Sequence, residues 1–294
     1  MENDMQEKLD NALHETLLED GSSPEKARYL KKLLDLGARS DAADVQGRYP
    51  LHYAAAKGNL PALETLLGAG ARAGVADGNG DTPLHVAARC GHEAVAKALV
   101  AAGAEAGCAN ACGKTPLYLA AEKGHLSIVK FLALCAGAGV DAGDKGGSRP
   151  MHRAASGGHV KVMEFLHERG APICGEDGKI QPMHLAAAFN RMDAVQFLLG
   201  KGVRVDVRDE YGRKPLHYAA MQGSIEMVKH LVMEMNDNPW VKDVNGKTPG
   251  CLAGKGCHAA GNGSDVRDFL KQWKPPVRVL HRWLGETRPK APSL

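Results

Sequence analysis

The sequence predicts an all-α solenoid of stacked helix-turn-helix units joined by β-turn fingers. A phrase close to Pro-Leu-His-x-Ala-Ala recurs along the chain, and its prolines are 32 to 34 residues apart. A period of this size is typical of repeat proteins, in which each unit buries its apolar face only against its neighbours. Aromatic residues make up 5% of the 294 residues, which favours thin, closely stacked helices. The repeat prolines are Pro50, Pro83, Pro116, Pro150, Pro182, Pro215 and Pro249.

The second unit shows how the sequence marks the helices of each repeat. Thr82 predicts a helix N-cap, and Pro83 stands at the first helical position, where its missing N–H costs nothing. Gly91 predicts the end of the first helix, because glycine adopts left-handed backbone angles readily. Gly103 predicts the end of a second, amphipathic helix. The capping threonine is replaced in four repeats, by Tyr49, Arg149, Gln181 and Lys214.

These phrases resemble the ankyrin repeat family, most closely at Thr82-Pro83-Leu84-His85. The resemblance covers residues 44–275 and implies seven repeats, which start near residues 44, 77, 110, 144, 176, 209 and 243. It also implies that the recurring histidines link neighbouring turns by hydrogen bonds, and that the protein binds protein partners.

The two ends differ from the repeats and from each other. Residues 1–43 predict a degenerate capping repeat with a polar outer face, as a terminal repeat requires. Residues 276–294 form a basic tail that contains tryptophan. The first 20 residues carry a net charge of −6, and residues 267–294 carry +5. The ends are therefore of opposite sign.

The composition indicates where in the cell the protein is found. No stretch approaches the roughly 18 apolar residues of a membrane span. The N-terminus lacks the features of a signal peptide, and the seven cysteines are irregularly spaced. We expect a cytoplasmic protein that is not secreted, with a nuclear or cytoskeleton-associated location as the alternative.

Three features resemble catalytic or metal-binding motifs, but each has a simpler structural interpretation. Gly113-Lys114-Thr115 and Gly246-Lys247-Thr248 lack the first glycine of a phosphate-binding loop. The histidines recur at repeat positions without a nucleophile beside them. The cysteine pair Cys108 and Cys112 lies too far along the chain from Cys257-His258 to complete one zinc site. We expect no enzyme activity, cofactor, metal or small-molecule substrate.

The resemblance implies that partners contact the finger tips and the exposed faces of the first helices. Basic residues outnumber acidic ones at these positions, and aromatic residues gather in the fifth and sixth repeats. The resulting candidates are Arg48, Tyr53, Lys57, Arg89, Lys114, Lys123, Arg153, Phe189, Tyr211, Arg213, Tyr218 and Met221. Trp273 and Trp283 are added because two tryptophans are unusual in a mere linker.

The sequence predicts a non-catalytic scaffold or adaptor that binds a protein partner, possibly one with an acidic segment, within a larger assembly. One alternative is a substrate-recognition or regulatory subunit of an enzyme complex such as a ubiquitin ligase. A second alternative is a groove for nucleic acid or another polyanion, but the pI near 8.4 and the separation of aromatic from basic residues disfavour it.

Overall fold

The structure is a computed structural model that describes residues 2–18, 24–175, 178–256, 263–276 and 279. Within these ranges the chain is mostly helical and contains no strand, and one isolated parallel bridge joins Gly178 to Asp209. This confirms the predicted all-α class. The predicted limits of the repeats stay a prediction.

Helices occur in pairs, one pair for each predicted unit of the described chain. Their bounds are α1 (Glu2–Leu18), α2 (Pro24–Asp35), α3 (Pro50–Lys57), α4 (Leu60–Gly68), α5 (Pro83–Cys90), α6 (Glu93–Ala101), α7 (Pro116–Lys123), α8 (Leu126–Leu134), α9 (Pro150–Gly157), α10 (Val160–Glu168), α11 (Pro182–Ala188), α12 (Met192–Gly200), α13 (Pro215–Gln222), α14 (Ile225–Lys229), α15 (Pro249–Leu252) and α16 (Gly263–Gln272). A π-helical segment, His230–Glu234, continues α14.

The helices form two compact units. Unit 1 comprises the residues up to Ala154 together with Lys161–Ala171, and unit 2 comprises Ala155–Val160 and the residues from Pro172 onwards. In unit 1, helices α1, α3, α5 and α7 pack in succession, and α2, α4, α6 and α8 form a second row. In unit 2, α11 packs on α13, α13 on α15, and α16 against α13, α14 and α15.

The leucine after each repeat proline forms the centre of the stack. Leu84 and Leu117 in unit 1 and Leu216 in unit 2 are completely buried. Met183 occupies the same position and is also completely buried, because methionine fills a leucine site at nearly equal volume. In the last repeat Gly250 stands there, and the first helix shortens to the four residues of α15.

Thr82 and Thr115 form the predicted caps, whereas the side chain of Thr248 makes no cap hydrogen bond. Thr82 Oγ1 accepts a hydrogen bond from the amide of His85, and His85 Nδ1 accepts one from the amide of Thr82. Gly91 ends α5 with a φ of +87°, in the left-handed region that side chains disfavour. Gln181 instead leaves its buried Oε1 without a hydrogen-bond partner among the described residues.

His52, His85 and His184 link one turn to the next, whereas the buried Nε2 of His217 has no hydrogen-bond partner among the described residues. His52 Nε2 lies 2.8 Å from the carbonyl of Asp81, and His85 Nε2 lies 3.0 Å from the carbonyl of Lys114. In unit 2, His184 Nε2 lies 3.0 Å from the carbonyl of Arg213. Burial lowers the pKa of these three linking histidines, so the rings are neutral at pH 7. The hydrogen bonds implied by the family resemblance are therefore present at these three positions.

Candidate partner-binding surface

Six of the fingers are built around an aspartate or asparagine six residues before the repeat proline. Asp44 Oδ1 accepts hydrogen bonds from the amides of Gln46 and Arg48, both at 2.8 Å. The same pattern occurs at Asp77, Asn110, Asp144, Asp209 and Asp243. The side chain thus closes the turn and fixes its own orientation. At the aspartates, this leaves the second carboxylate oxygen available to the neighbouring helix.

In the first finger that second oxygen binds two of the predicted site residues. Arg48 Nε donates to Asp44 Oδ2 at 3.0 Å, and the Tyr53 hydroxyl donates to the same oxygen at 2.5 Å. The Arg48 guanidinium lies 4.7 Å from the Tyr53 ring centroid. Burial tends to raise the pKa of Asp44, but hydrogen bonds from Tyr53 and Arg48 outweigh it and lower that pKa. Burial and the bond to Asp44 raise the pKa of Tyr53 to about 12.

A related cluster joins the third and fourth repeats within unit 1. The Tyr118 hydroxyl donates to Asp144 Oδ2 at 2.6 Å, and Arg153 Nε donates to the Tyr118 oxygen at 2.5 Å. Tyr118 occupies the position of the recurring histidine, so its longer side chain reaches the next finger directly. Burial and the bond to Asp144 raise the pKa of Tyr118 to about 12.

The predicted arginines of unit 1 cover buried carboxylates. Arg89 Nη1 lies 2.6 Å from Asp81 Oδ2. The side chains of Arg89 and Arg153 are 40% and 32% exposed, whereas those of Asp81 and Asp144 are 8% and 9% exposed. The cation therefore faces solvent while its counter-charge lies beneath it.

Two expectations about this surface change. We counted the bases as an excess of positive charge, but the structure pairs Arg48, Arg89 and Arg153 with carboxylates. We also expected Tyr53 to be exposed; it is 7% exposed because its hydroxyl turns inward to Asp44. Tyr53 thus supports the finger from within.

The lysines of unit 1 differ from the arginines. Lys57 and Lys123 end α3 and α7 and are exposed. Lys114 is half-buried, and its Nζ lies 5.5 Å from the centroid of the Tyr118 ring.

Unit 2 carries the predicted aromatic residues. Phe189 and Tyr211 are 39% and 44% exposed. The Arg213 guanidinium lies 5.0 Å from the Tyr211 ring centroid, and its Nε is 3.4 Å from Asp243 Oδ2. The Tyr218 hydroxyl donates to Asp209 Oδ2 at 2.6 Å. Arg213 therefore connects an exposed aromatic ring to a buried carboxylate.

Met221 lies on α13, three residues after Tyr218, and both side chains are half-buried. They form the first-helix part of the predicted surface in unit 2.

Sequence reasoning missed the exposed aromatic residue Trp240. Trp240 is 46% exposed, and its ring centroid lies 5.8 Å from that of the half-buried Trp273. The length of this side chain in a segment otherwise rich in small residues could have revealed it. Trp283 lies outside the described residues.

The described residues offer no group of three or more His, Cys, Asp or Glu side chains that could hold a metal ion. Cys108 lies 3.0 Å from the carbonyl of Glu105, and Cys257 and His258 lie outside the described part of the chain. A search of the described helices finds none long and apolar enough to cross a membrane.

Comparisons with known proteins agree with this architecture. A family model described as ankyrin repeats (3 copies) matches residues 13–108 and 96–177, and one described as ankyrin repeats (many copies) matches residues 183–232. The human ASB11 ankyrin repeat domain is 32% identical in sequence with a TM-score of 0.62. That match covers 78% of this chain and 100% of the ASB11 chain. No curated protein sequence matches significantly.

Proposed function

Because the chain belongs to the ankyrin repeat family, whose repeats are protein-protein interaction modules, we propose that it is a non-catalytic scaffold or adaptor. Its partner is a protein with an acidic segment, held by the fingers and first helices. The observation that carries this proposal is the placement of solvent-facing arginines over buried aspartates.

The arginine–aspartate pairs favour binding of carboxylates in two ways. An arginine has five N–H donors, so a guanidinium bound to one aspartate still offers donors to a second carboxylate. Each pair also holds its guanidinium in place before the partner arrives, which lowers the entropy that binding must overcome. Arg89 and Arg153 retain enough exposure for such a contact.

The aromatic residues of unit 2 supply the apolar part of the interface. Phe189 and Tyr211 are exposed, and Arg213 lies over the Tyr211 ring. Tyrosine and arginine are enriched among the residues that dominate binding energy at protein interfaces. An apolar side chain within or beside the acidic segment would therefore bind here.

Affinity purification from the native source, followed by quantitative mass spectrometry, tests the proposal. The full chain is compared with the double variant Arg153→Glu/Arg213→Glu. The matched control is Arg169→Glu/Arg204→Glu, which makes the same charge change at two exposed arginines outside the fingers and first helices. We expect a saturable protein set that is lost from the first variant and retained by the control. Equal recovery by both variants would contradict an arginine-dependent surface.

The same experiment separates the alternatives. Recovery of ubiquitin ligase subunits would assign the chain to an enzyme complex. Recovery mainly of nucleic acid, with binding that falls steeply with salt, would replace the proposal by a polyanion groove. A further variant truncated after Leu270 removes Trp273 and the tail, so loss of the set on truncation would place recognition there.

A further inference from the structure

The N-terminal end of unit 1 contains a groove beside the partner surface, with which it shares Asp44 and Tyr53. It has a volume of about 660 Å³ and is lined by α1 and the segment Arg39–Val45. We call it the N-terminal groove. Because α1 packs on α3 as the first helix of the first row, the groove lies at the beginning of the stack.

The groove combines a negative charge with an apolar edge. Its lining contains four carboxylates and Arg39, and Arg48 pairs with one of the four, which leaves a net charge of −2. Leu18 and Val45 also line it, and both are exposed. The lining carboxylates are Glu7, Asp10, Glu15 and Asp44. Such a lining suits a cationic segment that carries an apolar residue.

A buried histidine contributes to this lining without a partner at one ring nitrogen. His14 lines the groove and is 8% exposed, yet its Nε2 has no hydrogen-bond partner among the described residues. Buried polar atoms are nearly always hydrogen-bonded, so an unpaired one requires an explanation. A neutral imidazole with its proton on Nδ1 accepts a hydrogen bond at Nε2, and arginine and lysine supply only donors.

The chain itself contains a segment with the required chemistry. Residues 277–294 carry four basic side chains and one acidic side chain, a net charge of +3. Apolar residues lie among the bases: Val277, Leu280, Trp283 and Leu284. This segment follows α16, the last helix of unit 2.

We propose that the N-terminal groove binds residues 277–294 of a second copy of the chain. An arginine of that segment lies against the exposed Glu7 and Glu15, and an apolar residue packs on Leu18 and Val45. The contact is heterologous, since the two copies use different surfaces, and repetition of such a contact generates rings or open filaments. The proposal does not depend on the partner surface described above.

Sedimentation velocity of the full chain tests the inference. We expect self-association that grows with concentration at low salt and weakens at high salt, because salt screens exposed charges. Glu7→Lys/Glu15→Lys changes two exposed residues of the groove and should weaken association about tenfold or more. The matched control, Glu164→Lys/Glu226→Lys, reverses two exposed glutamates on second helices and should leave association unchanged.

A charge exchange establishes which surfaces meet. Arg278→Glu/Arg282→Glu should also abolish association, and a mixture of this variant with Glu7→Lys/Glu15→Lys should restore it. A labelled peptide of residues 277–294 should bind the full chain but not Glu7→Lys/Glu15→Lys, and a scrambled peptide of the same composition should bind more weakly. A monomer at every concentration, or equal binding of both peptides, would overturn the proposal. Binding of a basic segment from another protein, without binding of the peptide of residues 277–294, would also overturn the proposal.

Discussion

The third and sixth repeats receive the same insertion but differ in what lies beside it. Each is followed by the next repeat proline after 34 residues. In the third repeat the amide of Ala136 bonds to the carbonyl of Phe131, and in the sixth the amide of Met235 bonds to the carbonyl of His230. Repeats without the insertion also end the second helix with a bond that spans five residues, such as Ala104 to Leu99. The equivalent bonds here, Ala138 to Leu132 and Asp237 to Leu231, span six residues, so both repeats absorb the extra residue at the end of the second helix. Only the sixth repeat extends this turn into a π-helical segment.

The residues around the two insertions differ in charge. Thr115 caps the third repeat, and the small, buried Ala138 follows its second helix. In the sixth repeat Lys214 and Asp237 occupy these two positions, and Lys214 Nζ donates to Asp237 Oδ1 at 2.8 Å. Their side chains are 8% and 2% exposed. The third repeat shows that the insertion itself does not require an ion pair.

The largest expected effect comes from breaking this pair on one side. Asp237→Ala leaves the Lys214 ammonium buried without its partner, and we expect it to lower the free energy of unfolding by about 3–5 kcal/mol. Urea denaturation followed by circular dichroism measures the change. The double variant Lys214→Thr/Asp237→Ala recreates the pair of the third repeat and should recover most of the loss. A double variant as unstable as Asp237→Ala would contradict the assignment of the loss to an unpaired charge.

The reverse exchange should damage the third repeat. Ala138→Asp buries a carboxyl group without a partner, and we expect a loss of about 1–3 kcal/mol. Adding Thr115→Lys should return part of that free energy in the same urea assay. If Thr115→Lys recovers no stability, the buried pair of the sixth repeat depends on further residues besides Lys214 and Asp237.

Acid should loosen the sixth repeat more than the third. Burial lowers the pKa of His217 to about 4, and its Nδ1 accepts a hydrogen bond from the amide of Lys214. The third repeat has Tyr118 instead of histidine. A histidine with a lowered folded-state pKa stabilises the fold above its unfolded pKa of 6.5, and this stability is lost as the pH falls towards 4. The loss is at most about 1.4 kcal/mol per pH unit for one group.

Hydrogen–deuterium exchange at pH 7 and pH 5, corrected for the intrinsic pH dependence of exchange, measures this difference. We expect the amides of α13 to lose protection and those of α7 to change less. Equal loss in both helices would assign the acid sensitivity to groups other than His217.

The smallest expected effects concern the caps. Thr115→Ala removes the hydroxyl that accepts the amide of Tyr118 and should cost about 1 kcal/mol. Gln181→Thr in the fifth repeat replaces the unpaired Oε1 by such a hydroxyl and should raise the midpoint of thermal unfolding. Thr65→Ala provides a matched control, because its exposed hydroxyl bonds within a helix and caps nothing.

The features that recur along the fold could be predicted from the sequence. A paired change of two residues that lie far apart in the sequence could not. Thr82, Pro83 and Gly91 mark a helix by local rules, so each could be read from its position. Lys214 and Asp237 lie 23 residues apart in the sequence. The pair can be recognised only once the position of the inserted residue in the sixth repeat is known. Sequence reasoning therefore registered Lys214 as a lost cap and gave Asp237 no role.

The candidate surface was predicted only in part for a related reason. The bases at Arg48 and Arg153 were identified, but the aspartates that bind them were not. Both aspartates lie six residues before a repeat proline, and this constant position could have identified them. The exposed Trp240 has no counterpart in other repeats, so periodicity could not identify it.

The histidine–carbonyl links have a consequence for how quickly the chain folds. Those of His52, His85 and His184 each join residues 29 positions apart. The entropy lost in closing such a loop depends on its own length, not on the number of repeats that surround it. Lengthening the array by another repeat should therefore leave the rate of the first folding step nearly unchanged.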